Sequence, residues 1–225
     1  MYVSIGSATN VSVESSPRAT VQEMSVDGTS RRTLASGLRN PVGLAVHPQT
    51  GVVYVVVNER DGLGDDLVPD YMAQLQAGDF YGWPYAYLSP DLLDPRRMSG
   101  GASEAPDLAS STKTPAVLFQ AHSAPLGIAF YTGDSFPAHY RNGAFVTFHG
   151  SWNRSRPTGY KVVFVPFNDD GTPKGSYEDF LTGFLVNGTP AKAWGRPVDV
   201  VVLPDGSLLV SDDANGLIYR IQYYR

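Results

Sequence analysis

The chain contains no cysteine. That excludes a disulfide framework, a thiol nucleophile and a zinc–thiolate site, and it leaves the redox compartment open. Charge is scarce too: Asp, Glu, Lys and Arg make up 17% of the residues, against roughly 25% in an average domain. The net charge is −5 and the basic residues are scattered, so nucleic acid is not an expected partner. No apolar run approaches the roughly 18 residues that span a bilayer, so no membrane span is expected. Residues 1–10 lack the basic start and apolar stretch of a signal peptide. The surplus of Ala, Glu, Lys and Leu that marks helical bundles and coiled coils is missing as well. No G-x-S-x-G elbow, H-E-x-x-H pair or P-loop occurs.

What is present is 23 Gly, 17 Pro and 42% hydrophobic residues in 225, the composition of short strands and tight turns. Three segments share a layout of basic residue or glycine, proline, apolar strand, turn and second apolar strand: Gly37–Glu59, Ala121–Asn153 and Trp194–Asp213. Turns such as Gln49-Thr50-Gly51 and Pro204-Asp205-Gly206 carry the residues that hairpins require. The prolines that open the repeats, Pro41, Pro125 and Pro197, lie 84 and 72 residues apart. This exceeds the roughly 40–50 residues of a compact blade, so loops are inserted, with 85–115 the candidate. Repeated four-stranded antiparallel units read as an all-β fold, a β-propeller; a β-sandwich with accidental similarity between segments is the alternative. The units are 1–36, 37–121 with its inserted loop, 122–190 and 191–225. They make about four blades, the two terminal ones partial.

The blocks GLRNPVGLAVHPQTG, NERDGLGDDLVPDY, AGDFYGWPY, AHSAPLGIAFY, FHGSWNRSRPTGYKVVFVPF and WGRPVDVVVLPDGSLLVSDD resemble the soluble PQQ-dependent sugar dehydrogenases, above all their sorbosone dehydrogenase branch. The resemblance covers essentially the whole chain. It implies a six-bladed propeller family that binds pyrroloquinoline quinone and Ca²⁺ on its axis, oxidises sugar hydroxyls or aldehydes, and is typically periplasmic or secreted.

PQQ carries three carboxylates and an ortho-quinone, so its site needs guanidinium or ammonium groups and a Lewis acid. By resemblance, Arg39 and Asn40 match a cofactor-contacting Arg-Asn pair. Arg196 matches a carboxylate-binding arginine in the third repeat, and Arg154 falls in a loop that carries another basic contact. Trp194, like Trp83 and Trp152, could stack on a planar cofactor or a sugar ring, although packing is the commoner use. The stretch Asn58–Asp66 holds four carboxylates in eight residues, Glu59, Asp61, Asp65 and Asp66, broken by Gly62 and Gly64. Such loops suit calcium, or form an acidic surface turn. The resemblance implies backbone carbonyls of Asp61 and Gly62 on the cofactor's Ca²⁺, and Asp65 and Asp66 at a separate calcium.

Of the four histidines, His122 and His149 stand at strand ends of the second repeat and are candidate general bases; His47 and His139 sit in turns. The resemblance also implies a proton-accepting histidine upstream of the strand that matches Met1–Gly6, a position this sequence does not contain. Weak or lost activity is therefore expected. A sector with open blade edges implies self-association. Two other readings stay open. One is a non-catalytic binding or assembly module. The other is a calcium-dependent lactonase or esterase, drawing on Asn40, Glu59, His122, Asp199 and Asp213.

Overall fold

Val53, Val55 and Val57 project to one side of their strand and Tyr54 and Val56 to the other, and all five are buried. A strand covered on both faces must lie inside a stack of sheets, and the computed structural model, which describes residues 1–187 and 192–224, shows that stack. Four sheets follow one another along the chain. The first pairs Tyr2–Ile5, Thr20–Met24 and Arg31–Ser36 antiparallel. The second runs Asn40–Val46, Val53–Asn58, Tyr71–Leu75 and Val117–Leu118. The third runs Pro125–Phe130, Gly143–Phe148, Lys161–Pro166 and Glu178–Leu181. The fourth has three strands, Pro197–Val202, Leu208–Asp212 and Leu217–Ile221. The set does not close into a ring.

The leading strand of each sheet packs against that of the next, and this is a β-propeller type of arrangement. Three leading strands carry a bulge at the same place, between Pro41 and Leu44, Pro125 and Ile128, and Pro197 and Val200. The bulge brings neighbouring backbones into contact. A Cβ on Gly127 would stand 2.5 Å from Asp199 Oδ1, and one on Gly43 would stand 2.4 Å from the Leu126 carbonyl oxygen. Each of the first three sheets also donates one side-chain hydrogen bond to the leading strand of the next: Ser4 Oγ to the Val42 carbonyl at 2.7 Å, Asn58 Nδ2 to the Pro125 carbonyl at 3.0 Å and Thr147 Oγ1 to the Val198 carbonyl at 2.7 Å.

Between the sheets lie three apolar layers. Val21, Leu34, Val55 and Val57 fill the first, Tyr54, Val56, Ile128 and Val146 the second, and Phe145, Phe164, Val200 and Leu208 the third. Each such side chain contributes about 1.5–3 kcal/mol on burial.

The structure departs from the expected units in two places. Asp79–Phe80, placed by the sequence in the second unit, instead pairs parallel with Arg31–Ser36 and completes the first sheet as its fourth strand. Period-two patterning cannot reveal a crossover made by two residues. Residues 85–115, read from the sequence as an inserted loop, hold two small hairpins and the short helix Pro106–Ser110. The boundary expected at 190/191 lies outside the described residues. No helix among those described is long and apolar enough to cross a membrane.

Candidate functional site

In each antiparallel sheet the leading strand starts where the second strand ends. Residues just before one and just after the other therefore meet at one rim of the stack. Arg39, Asn40, Asn58, Glu59, Asp61, Asp70, His122, Ala124, Trp152 and Asn153 line a pocket there of about 180 Å³.

Its centre is a carboxylate–imidazole pair. His122 Nδ1 lies 3.3 Å from Asp61 Oδ1, and Nε2 donates to the Gly64 carbonyl at 3.0 Å. Because a carbonyl only accepts, the proton on Nε2 is fixed, and Nδ1 is the nitrogen that gains or releases one. The hydrogen bond to Asp61 raises the His122 pKa against the opposing effect of burial, with the Gly64 carbonyl adding to the rise. The same bond lowers the Asp61 pKa, helped by Arg39, whose Nη2 is 3.9 Å away, and by Asn153 Nδ2 at 2.7 Å.

Asp70 holds this arrangement together. Only 2% exposed, it accepts the Glu59 backbone N–H at 2.8 Å and the Ala124 N–H at 2.9 Å, so one carboxyl ties the second sheet's loop to the third sheet's turn. That turn places His122 at φ +66° and Ala124 at φ +55°, a region that costs non-glycine residues energy and has to be held. Burial pushes the Asp70 carboxyl up to about 7.

Three polar atoms of pocket residues are buried with no partner: Arg39 Nε, Glu59 Oε1 and Asn153 Oδ1. An unmet buried group costs about 1–3 kcal/mol. All three belong to residues that line the one hollow. Trp152 stands at its mouth, 80% exposed.

The pocket collects Arg39, Asn40, Glu59, Asp61, His122 and Trp152 from the residues singled out in the sequence, and leaves the others outside. Arg154 donates to the carbonyls of Asp65 and Ala121 and to Asp66 Oδ1, the last at 3.0 Å. Arg196 donates to the carbonyls of His149 and Gly150 and lies over the Tyr160 ring. His149 Nε2 lies 2.9 Å from Asp213 Oδ1. Trp194 stacks on Phe184, ring centroids 4.7 Å apart, and donates to the Gly183 carbonyl. Asp199 is exposed on the fourth sheet.

The acidic loop is equally committed. Asp65 accepts from the backbone N–H and hydroxyl of Ser155, Asp66 from Arg154, and Glu59 Oε2 from Arg60 Nε at 2.8 Å. The Asp61 carbonyl accepts from Asn10 Nδ2 at 2.9 Å and from Arg96 Nη1 at 2.7 Å, and Gly62 completes the turn at φ +90°. Among the described residues no three acidic or histidine side chains are grouped to hold a metal. Of the expected calcium donors, Glu59 Oε2, the Asp61 carbonyl and the Asp65 and Asp66 carboxylates thus already have protein partners. Asp70, Asn153, Asn10 and Arg96 are the participants sequence reasoning missed; a lone Asn or Asp in a loop carries no periodic signal.

The family model described as glucose/sorbosone dehydrogenase matches residues 4–150, and a TrAA12-like model matches 101–224. The chain belongs to the glucose/sorbosone dehydrogenase family. An uncharacterized protein of Borreliella burgdorferi is 35% identical over 99% of this chain and 57% of its own length. A pyrroloquinoline quinone-dependent pyranose dehydrogenase of Coprinopsis cinerea is 29% identical over 85% of this chain and 31% of its own. The calcium structure of a Trichoderma reesei carbohydrate-active enzyme of family AA12 superposes with a TM-score of 0.79 at 24% identity, covering 99% of this chain and 65% of that one. This member of the dehydrogenase family thus spans between about a third and two thirds of the length of these relatives. The relatives place it among PQQ-dependent sugar dehydrogenase-like proteins, and the structural likeness supports the propeller type of fold.

Proposed function

We propose that the rim pocket forms one wall of a larger site for PQQ and a sugar, and that the chain carries the cofactor-facing part of a sugar dehydrogenase site. The observation that supports this most directly is that Arg39, Asn40, Asp61 and His122 line one hollow in a chain of this family. In this reading the four sheets are four blades of a six-bladed architecture.

Arg39, in the pocket lining, meets a cofactor carboxylate or quinone oxygen through a charge-assisted hydrogen bond. Asn40 sits beside it, at the start of the second sheet's leading strand. Bound PQQ supplies a two-electron acceptor for oxidation of a sugar hydroxyl or aldehyde. His122, oriented by Asp61 and Gly64, takes up the substrate proton at Nδ1, and the Asp61 carboxylate stabilises the imidazolium that results. Asn153 orients the pair from the other side, its Nδ2 lying 3.3 Å from His122 Nδ1. Glu59 Oε1 and Asn153 Oδ1 are acceptors, so they suit sugar hydroxyls better than a polycarboxylate.

The test is titration of the protein with PQQ, followed by cofactor absorbance, and then dye reduction with a panel of aldoses. Binding at or below about 10 μM, weakened at least tenfold by Arg39→Ala, is expected. No binding at that level, or binding indifferent to Arg39→Ala, refutes the assignment. Ester or lactone turnover abolished by EDTA would instead select a calcium hydrolase, and a protein indifferent to every ligand would be a binding or assembly module.

A further inference from the structure

Arg96 is held in a fork. Its Nε donates to Asp94 Oδ1 and its Nη2 to Asp94 Oδ2, each at 2.9 Å, and its backbone N–H also reaches Asp94 Oδ1 at 2.9 Å. Asp94 is itself immobile: its side chain is fully buried and also accepts from the fully buried Arg60 at 3.1 Å. Arg60 is fixed in turn by Glu59 and by the carbonyls of Pro84 and Ala86. The nitrogen of Arg96 left over from the fork, Nη1, points at the Asp61 carbonyl, 2.7 Å away, and lies 3.1 Å from where a Cβ on Gly62 would stand.

A carbonyl oxygen has two lone pairs, and at Asp61 both are used. Asn10 takes the second through its Nδ2 at 2.9 Å, while its Oδ1 accepts the Asp61 N–H at 2.9 Å, so this loop of the first sheet clamps the residue from both sides. A calcium ion needs six to eight oxygens at roughly 2.3–2.6 Å. To use the Asp61 carbonyl it would have to displace Arg96 or share the oxygen at close range with a like charge.

We infer that Arg96 closes the Asp61–Gly62 turn to divalent cations and stands as that turn's resident positive charge. Arg39 also approaches this residue, its Nη2 3.9 Å from Asp61 Oδ2, so the turn meets two guanidiniums. The chain therefore holds an anionic ligand at the rim with its own cations, and ligand affinity does not depend on calcium. The ligand part of this statement rests on the proposed function; the closed turn does not.

The experiment keeps the two apart. Metal-stripped protein is titrated with Mn²⁺ while the backbone amide resonances of Asp61 and Gly62 are followed for paramagnetic broadening, and separately with Ca²⁺ by calorimetry. In the wild type these two amides stay sharp at stoichiometric metal. In Arg96→Gln, which removes the charge, they broaden and a calcium site tighter than about 1 mM is gained. Selective broadening in the wild type overturns the inference, and so does an Arg96→Gln protein that folds and still binds nothing, since Arg96 would then not be what closes the turn. A second arm uses the wild type alone: PQQ affinity in EGTA and in excess Ca²⁺ agrees within about twofold, and a tenfold loss in EGTA overturns the inference. Failure of PQQ to bind in either buffer refutes the proposed function and leaves the amide measurement to decide the closed turn.

Discussion

Asp70→Asn separates burial from hydrogen bonding at the residue that joins the second and third sheets. Burial raises the Asp70 pKa from 3.8 to about 7, against two backbone N–H groups that favour the charged form. A carboxyl raised in the folded state binds its proton more tightly there than in the unfolded chain. Between about pH 4 and pH 7 the folded state therefore holds the extra proton, and stability falls as pH rises. A shift of about 3 units at 1.36 kcal/mol per unit amounts to about 4 kcal/mol across that window. Asparagine cannot ionise, but its Nδ2 cannot accept the second of the two backbone N–H groups, a loss of about 1–3 kcal/mol that does not vary with pH. The variant should start below the wild type by about 1–3 kcal/mol near pH 4, gain on it by about 4 kcal/mol by pH 7, and keep a constant difference above that. His122 is present in both proteins, so its own titration largely cancels in the difference. Urea unfolding at half-unit pH steps measures this. A difference that stays level within about 0.5 kcal/mol, or that grows on acidification, would show that the two N–H groups outweigh burial and that the reasoning is wrong.

Asp61→Asn removes the main cause of the raised His122 pKa; the His122 NMR titration midpoint should lie above 6.5 in the wild type and fall in the variant. The stability His122 contributes through Asp61 is complete below the unfolded midpoint and is lost as pH rises through the folded one, and the variant should lack that loss. Asp94→Ala takes one of two carboxylates from the buried Arg60, which keeps Glu59, and frees Arg96, at a cost of about 1–3 kcal/mol by chemical denaturation. Gly127→Ala drives a methyl group into Asp199 and should cost about 1–3 kcal/mol, reported by unfolding of the fourth sheet. Trp152→Ala should change stability by no more than about 0.5 kcal/mol because the ring is largely exposed, while raising the KM for a sugar that stacks on it.

Much of the fold was legible because strands repeat a local pattern. The three Pro-opened hairpins lie where their alternation and turn residues put them, and Arg39, Asn40 and His122 fall at the pocket because a residue just before a leading strand is at the rim in every sheet. Type and place were not enough for the remainder. Arg154, Arg196 and Trp194 occupy comparable strand-end positions, yet their polar atoms are taken up by nearby carbonyls. Which strand-end arginine stays free depends on what its neighbours already accept.

By itself the sequence determined the all-β character, the repeat, the family and the rim position of the leading residues, all properties of short windows of chain. The tertiary structure alone decided that Asp79–Phe80 completes the first sheet and that Asp70 joins two loops. It also decided that Asn10 and Arg96, 51 and 35 residues from Asp61, meet on its carbonyl oxygen. Those are pairings between distant, non-periodic residues. They exist because each buried donor and acceptor takes the nearest partner the packed sheets bring to it.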